Sequence, residues 1–136
     1  FFGWKKKELE AVLQKIHNVQ MSDCNGSTVY ELPEEIDAYP RIPTAVFLSG
    51  FDPLMLGYEK HENPFLPQRH LRRVFNLQGI VYPCFLYKGN VAGRWKLEKE
   101  TLQLQPFEDF DALQRQQIEK AAKRLLQPAR IIWADF

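Results

Sequence analysis

Asp52 and Pro53 interrupt an otherwise apolar stretch, FLSGFDPLMLGY (residues 47–58). A carboxylate in that setting has three chemical uses: general acid or base, metal ligand, or cap on a backbone turn. Proton-transfer chemistry needs a second acid, a histidine or a nucleophile within hydrogen-bond reach, and the neighbouring sequence supplies none. An Asp-Pro pair does suit the start of a short helix. The Asp side chain accepts a backbone N–H two or three residues on, and proline is pre-shaped for the first helical position. This accounts for both residues at once, so Asp52 is expected to be a structural acid.

The remaining chemistry-bearing residues are scattered. His17, His61 and His70 lie in contexts ("IHN", "KHEN", "QRH") that match no zinc or calcium ligand spacing. Gly89 and Gly93 belong to a hairpin and not to a phosphate-binding loop, and no Ser or Cys stands in a nucleophile motif. Cys24 and Cys84 are far apart and read as free thiols of a reducing cytoplasm, a disulfide being the minority case. No catalytic residue, metal or cofactor is expected of this chain.

Three basic groups are left: Lys5, Lys6 and Lys7 with Lys15; Arg69, His70, Arg72 and Arg73; and Arg94 with Lys96. Each alone could be solvated surface. The net charge is only +1, so affinity for a polyanion must come from such local clusters. Lysines opening a recognition helix meet DNA backbone and groove, and an arginine cluster can hold phosphates bidentately. Double-stranded DNA is the leading polyanion candidate. No stretch approaches the roughly 20 apolar residues of a membrane span, and no membrane partner is expected.

The elements that must carry these groups follow from periodicity. Leu9, Val12, Leu13 and Ile16 mark one face of a helix over residues 5–17. Two short alternating runs around Asp23-Cys24-Asn25-Gly26 predict a β-hairpin, with Val19 and Met21 before the turn and Val29 and Leu32 after it. A helix followed by such a hairpin is the back half of a winged helix, assigned to residues 1–33. Residues 34–43 are a Pro-rich linker. Residues 44–136 then form a second domain, with strands at 44–48, 80–87, 91–97 and 101–107 and a helix over 112–126. Along the third of these strands Val91, Gly93, Trp95 and Leu97 share one face, with Arg94 and Lys96 on the other. The fold class is α+β: a partial winged helix, then a small antiparallel β-barrel or sheet covered by a C-terminal helix. With 45% apolar and 26% charged residues over 136 positions, one full core or two small ones can be buried. The opening FFGW is costly to leave in water, which makes a piece of a longer protein the expected origin.

Read together, "FDPLMLGYEKH", a basic stretch, "GIVYPCFLYKGNVAGRWKLEKETLQLQPF" and a closing Ala-rich helix resemble a bacterial family of winged-helix DNA-binding proteins. The residues that carry the likeness are Phe51, Asp52, Pro53, Leu56, Gly57 and Tyr58, then Gly79, Pro83, Gly89, Gly93 and Trp95. "FFGWKKKELEAVL" is similar to the opening of the family's last winged-helix helix. The resemblance implies tandem winged helices ending in a β-barrel, with this chain as the C-terminal portion and the N-terminal part of the same protein as its partner. Some members are metal-independent DNA glycosylases that remove alkylated or crosslinked bases, and their catalytic Gln-x-Gln or Gln-x-Asp pair lies in the N-terminal part. Gln103-Leu104-Gln105 sits elsewhere, in a barrel strand, and is given no role. Glu59-Lys60-His61 stands where the family usually has an arginine after Gly-Tyr. The alternatives kept beside a glycosylase fragment are a non-enzymatic DNA-binding regulator and a protein-interaction module.

Overall fold

The fold, a computed structural model, is described for residues 5–24, 26–31 and 42–134, and it divides into two compact units, Phe1–Arg41 and Ile42–Phe136. Phe1, Phe2, Trp4, Asn25, Leu32 and most of the Pro-rich linker lie outside the described residues.

The first unit contains a helix, α1 (Lys6–Leu13), and a hairpin of β1 (Gln20–Cys24) and β2 (Ser27–Glu31). The helix stops four residues short of the expected 17. Beyond Leu13 the chain tightens, with Lys15 N–H bonding Val12 O and Ile16 N–H bonding Leu13 O, and Asn18 then takes φ +74° to turn into the hairpin. The antiparallel register closes at Cys24 opposite Ser27. Gly26 sits at φ +82°, and its N–H is held by Asp23 Oδ1 at 3.0 Å. A left-handed residue at that point is what a two-residue hairpin loop demands.

The second unit is built on an open five-stranded sheet in the order β3 (Ala45–Leu48), β4 (Cys84–Tyr87), β5 (Asn90–Glu98), β6 (Thr101–Pro106), β7 (Arg130–Trp133). The first four strands are antiparallel; β7 lies parallel to β6. This last strand is an addition to the sequence reading. A parallel pair needs a crossover, and α4 (Ala112–Leu126) supplies it. The helix is opened by Asp111, whose Oδ1 accepts the Gln114 N–H at 2.8 Å while Gln114 Oε1 accepts the Asp111 N–H. Gln127 in a left-handed conformation and then Pro128 end it.

Alternation along the strands splits the core into two layers. Ala45, Phe47, Phe85, Leu102 and Leu104 face α4 and bury against Ile118 and Ala122. Leu48, Cys84, Leu86 and Val91 face the other way, toward Met55, Leu66, Val74, Phe75 and Phe107. The expected single face of β5 is therefore wrong for Val91. The register slips between Phe85 and Leu86, pairing Phe85 with Gly93 and Leu86 with Val91. The extra residue, Ala92, reverses which way Val91 points relative to Trp95. The expected strand over 80–87 is also shorter. Pro83 has no N–H to donate, and before it only Val81 pairs, in an isolated bridge to Phe75.

Two helices of one turn cover the second layer. Asp52 caps α2 (Pro53–Leu56): its Oδ1 accepts the Leu54 N–H at 2.9 Å, with Pro53 in the first turn. Gly57 closes α2 by donating its N–H to Pro53 O at 2.8 Å, where an added Cβ would stand 3.0 Å from that same oxygen. A 3-10 turn at Gln68–His70 leads into α3 (Leu71–Val74).

Candidate nucleic-acid interface

The sequence from residue 63 to residue 97 contains six Lys or Arg and no Asp or Glu, in a chain whose net charge is only +1. That acid-free span runs from the loop after α2 through α3, β4 and most of β5, so its cations are fixed by the sheet and the α3 turn. The structure separates cations committed to the protein's own framework from those turned outward.

Arg69 and His70 both meet Glu108, which stands just past β6. Arg69 pairs with the carboxylate, and His70 Nε2 lies 3.3 Å from it. His70 is buried, with its ring 5.0 Å from that of Phe107. Burial holds its pKa below the ordinary 6.5. The Glu108 hydrogen bond opposes that, and the charges of Arg69 and Arg73 reinforce it. Glu108 is held below the usual carboxylate range by its hydrogen bonds from Arg69 and His70. Arg73 stacks on the Phe107 ring at 4.2 Å and donates to Phe107 O at 3.2 Å and Pro106 O at 3.4 Å. These three residues tie α3 to the end of β6. Sequence reading could not pair Arg69 and His70 with Glu108, which lies 39 and 38 positions away.

Arg94 is also engaged. Its Nε donates to Gln105 Oε1 at 2.9 Å and its guanidinium lies 4.8 Å from the centre of the Tyr82 ring. Gln105 is buried, and Gln103 Nε2 donates to Glu98 Oε2 at 3.2 Å. Both glutamines of the Gln-x-Gln pair thus hold the sheet together. Lys96 Nζ lies 3.0 Å from Glu98.

The outward group differs. Arg72 is exposed and, among the described residues, has no ion-pair or hydrogen-bond partner. Lys60, which the basic groups read from the sequence did not include, lies 5.1 Å from the centre of the Phe75 ring. Lys5, Lys6, Lys7 and Lys15 are exposed in the first unit, where the Lys5 backbone N–H bonds Glu8 Oε2 at 3.0 Å.

The motif residues make contacts within the second unit. Phe51 is half exposed at φ +58°, with its N–H on Val81 O at 3.2 Å. Tyr58 packs edge-on against Phe65 with the ring centres 6.0 Å apart. Trp95 Nε1 donates to Leu48 O at 2.9 Å, across the sheet. Gly93 is where a side chain is least possible: a Cβ would stand 2.3 Å from the Phe85 ring and 2.5 Å from Gln105 O. Cys84 is buried in the apolar layer, and burial, with the Asp52 charge adding to it, pushes its thiol up to about 12. A thiol so placed is inert. Among the described residues no group of three or more His, Cys, Asp and Glu could hold a metal ion, and no helix is long and apolar enough to cross a membrane.

Residues 1–127 match the family described as DNA glycosylase AlkZ-like. Among solved structures, the DNA glycosylase AlkZ of Streptomyces sahachiroi superposes with a TM-score of 0.75 at 24% identity, covering 96% of this chain and 38% of that one. The likeness establishes a shared fold, and the chain spans a little over a third of that glycosylase's length. No curated protein sequence matches this chain.

Proposed function

We propose, for a chain that belongs to the AlkZ-like DNA glycosylase family, that it is the C-terminal, DNA-contacting portion of a DNA-repair protein. In this reading residues 1–33 are the last helix and wing of a winged helix, residues 34–43 a linker, and residues 44–136 a domain built on the open five-stranded sheet and its covering helix. The parent excises alkylated or crosslinked bases in the cytoplasm without a metal. The C-terminal portion binds duplex backbone and leaves the excision chemistry to the rest of the protein.

The observation that carries the reading is the acid-free span of residues 63–97, with Arg72 outward on its surface. A duplex presents a regular row of phosphates, and an outward cation on a rigid element, as Arg72 is on α3, neutralises one of them with release of counterions. The lysines that open α1 stand where a recognition helix meets the backbone. Gln103-Leu104-Gln105 does not supply the excision pair in this reading, because Gln105 is buried against Arg94.

The test is fluorescence anisotropy of a labelled duplex against the chain across a salt series. Micromolar affinity that falls steeply with salt is expected. The slope is expected to fall by up to about 0.9 for each phosphate that a Lys5/Lys6/Lys7→Ala variant no longer neutralises. Affinity that does not respond to salt would point to a protein-interaction surface instead.

A further inference from the structure

One exposed element is left unused by the architecture. Between α3 and Val81 the chain makes a tight loop, Asn76-Leu77-Gln78-Gly79-Ile80, whose backbone is pinned from within. Asn76 Oδ1 accepts the N–H groups of Gln78 at 2.9 Å and Ile80 at 2.8 Å, and the Asn76 N–H donates to Ile80 O at 3.0 Å. Gly79 takes φ +87° to close it. Below the loop the Phe75–Val81 bridge and the bond from Tyr82 N–H to Val74 O, at 2.9 Å, anchor both legs in the core. At the top stands Leu77, 86% exposed. Arg72, Phe75, Asn76, Leu77 and Gln78 line one shallow depression, and Lys60 lies over the ring of Phe75.

A leucine held out in water on a loop this well fixed gains nothing for folding; a polar residue would serve the turn as well. The charge around it selects the occupant. The loop lies within the acid-free span, with Arg72 beside it and Lys60 at its base, which suits a polyanion and disfavours an acid-poor protein face. Proteins that deform a duplex insert an apolar side chain between base steps while cations hold the flanking phosphates. Resting on the DNA-contacting reading above, we propose that Leu77 is a wedge that enters a base step of duplex DNA, with Arg72 on an adjacent phosphate. The loop's internal bonds fix the backbone that carries Leu77 before contact, so the cost of ordering that backbone is met during folding and not on binding.

The experiment uses the full chain and a duplex carrying 2-aminopurine beside a flexible T·A step, with anisotropy giving affinity and 2-aminopurine fluorescence giving unstacking. Saturating wild-type chain is expected to raise the fluorescence. Leu77→Ala is expected to lose more than half of that rise while binding within about threefold of wild type, as removal of a wedge but not of phosphate contacts requires. Arg72→Gln is expected to weaken binding and to lower the salt slope by about 0.9, the share of one phosphate. Leu113→Ala, a 62% exposed leucine on α4, is expected to change neither signal. Unaltered melting of Leu77→Ala confirms that its fold is intact. Wild-type binding without a fluorescence rise, or an equal rise in Leu77→Ala, overturns the wedge and leaves the DNA reading standing. A wild-type chain that binds no duplex at low salt overturns both.

Discussion

Leu9 and Val12 on α1 and Ile118 and Ala122 on α4 obey the same helical spacing, yet the two helices end in different circumstances. In the second unit the stripe meets the sheet: Ile118 and Ala122 are fully buried against Phe47, Phe85, Leu102 and Leu104. Among the described residues of the first unit no side chain is buried: Leu9 and Val12 remain exposed on α1, and Ile16 is exposed in the turn past its end. Periodicity reports that a helix has an apolar face. It does not report what covers that face. The second unit holds two complete apolar layers within its own boundaries, whereas the described part of the first is a helix and a hairpin whose stability must draw on little beyond local bonds.

That contrast can be broken most severely at Gly93. A β-carbon there would overlap the Phe85 ring and Gln105 O, and neither a central strand nor a fully buried ring can retreat. Gly93→Val is expected to destabilise the second unit by more than about 3 kcal/mol, beyond ordinary overpacking, read as lost cooperative unfolding in urea. The matched pair Ile118→Ala and Ile16→Ala comes next. Ile118 is fully buried and Ile16 is 46% exposed. The first change is expected to cost about 2–5 kcal/mol by loss of transfer energy and creation of a cavity, and the second less than about 0.5 kcal/mol. Equal costs would mean that the apolar stripe running from α1 to Ile16 is covered after all.

What the sequence discloses divides along the same line. The span of α4, the position of the hairpin turn at Gly26 and the Asp-Pro cap were legible because each is written in a few adjacent residues. Strand β7 was missed because "RIIW" is short, follows a helix, and owes its place to pairing with β6 some thirty positions earlier. The reversal of Val91 was missed because a bulge is specified by the partner strand and not by its own alternation. For the candidate interface, the positions of Arg69, His70 and Arg73 could be picked out, but their ties to Glu108 and Phe107 are long-range. Leu77 carried no signal at all. A leucine in a loop reads as core until exposure is known.

A smaller effect separates local from long-range specification. Asp52 holds one backbone N–H at the start of α2, and Met55 at its centre is buried. Asp52→Ala is expected to cost about 1 kcal/mol, the worth of an N-cap, while Asp52→Asn is expected to keep most of that, because the amide oxygen still accepts from Leu54. Urea titrations of the two variants distinguish a cap from a charge: equal losses would mean that the carboxylate, not the hydrogen bond, is what matters.

The subtlest prediction concerns His70, the one titratable ring locked between α3 and the end of β6. Its folded pKa is depressed, chiefly by burial, so the native state resists taking the proton that the unfolded chain accepts near 6.5. By linkage, the stability tied to a neutral His70 is present above that value and is lost as pH falls from 6.5 through the folded pKa, below which the loss levels off. Glu108 has the same sign in a lower window. Its folded pKa is held below 4.5 by Arg69 and His70, so its contribution is present above 4.5 and fades as acid protonates it. Two steps are therefore expected in a plot of unfolding free energy against pH, and His70→Gln is expected to remove the upper one while leaving a lower one. The protonated ring would still face Glu108 on one side, but Arg69 and Arg73 share that surface and Phe107 packs on it, so charging His70 adds a third cation to a site with one acid. A flat profile between pH 7 and pH 5 would mean that Glu108 compensates fully for burial. In that case the α3 tether depends on the ion pair more than on the apolar contact with Phe107.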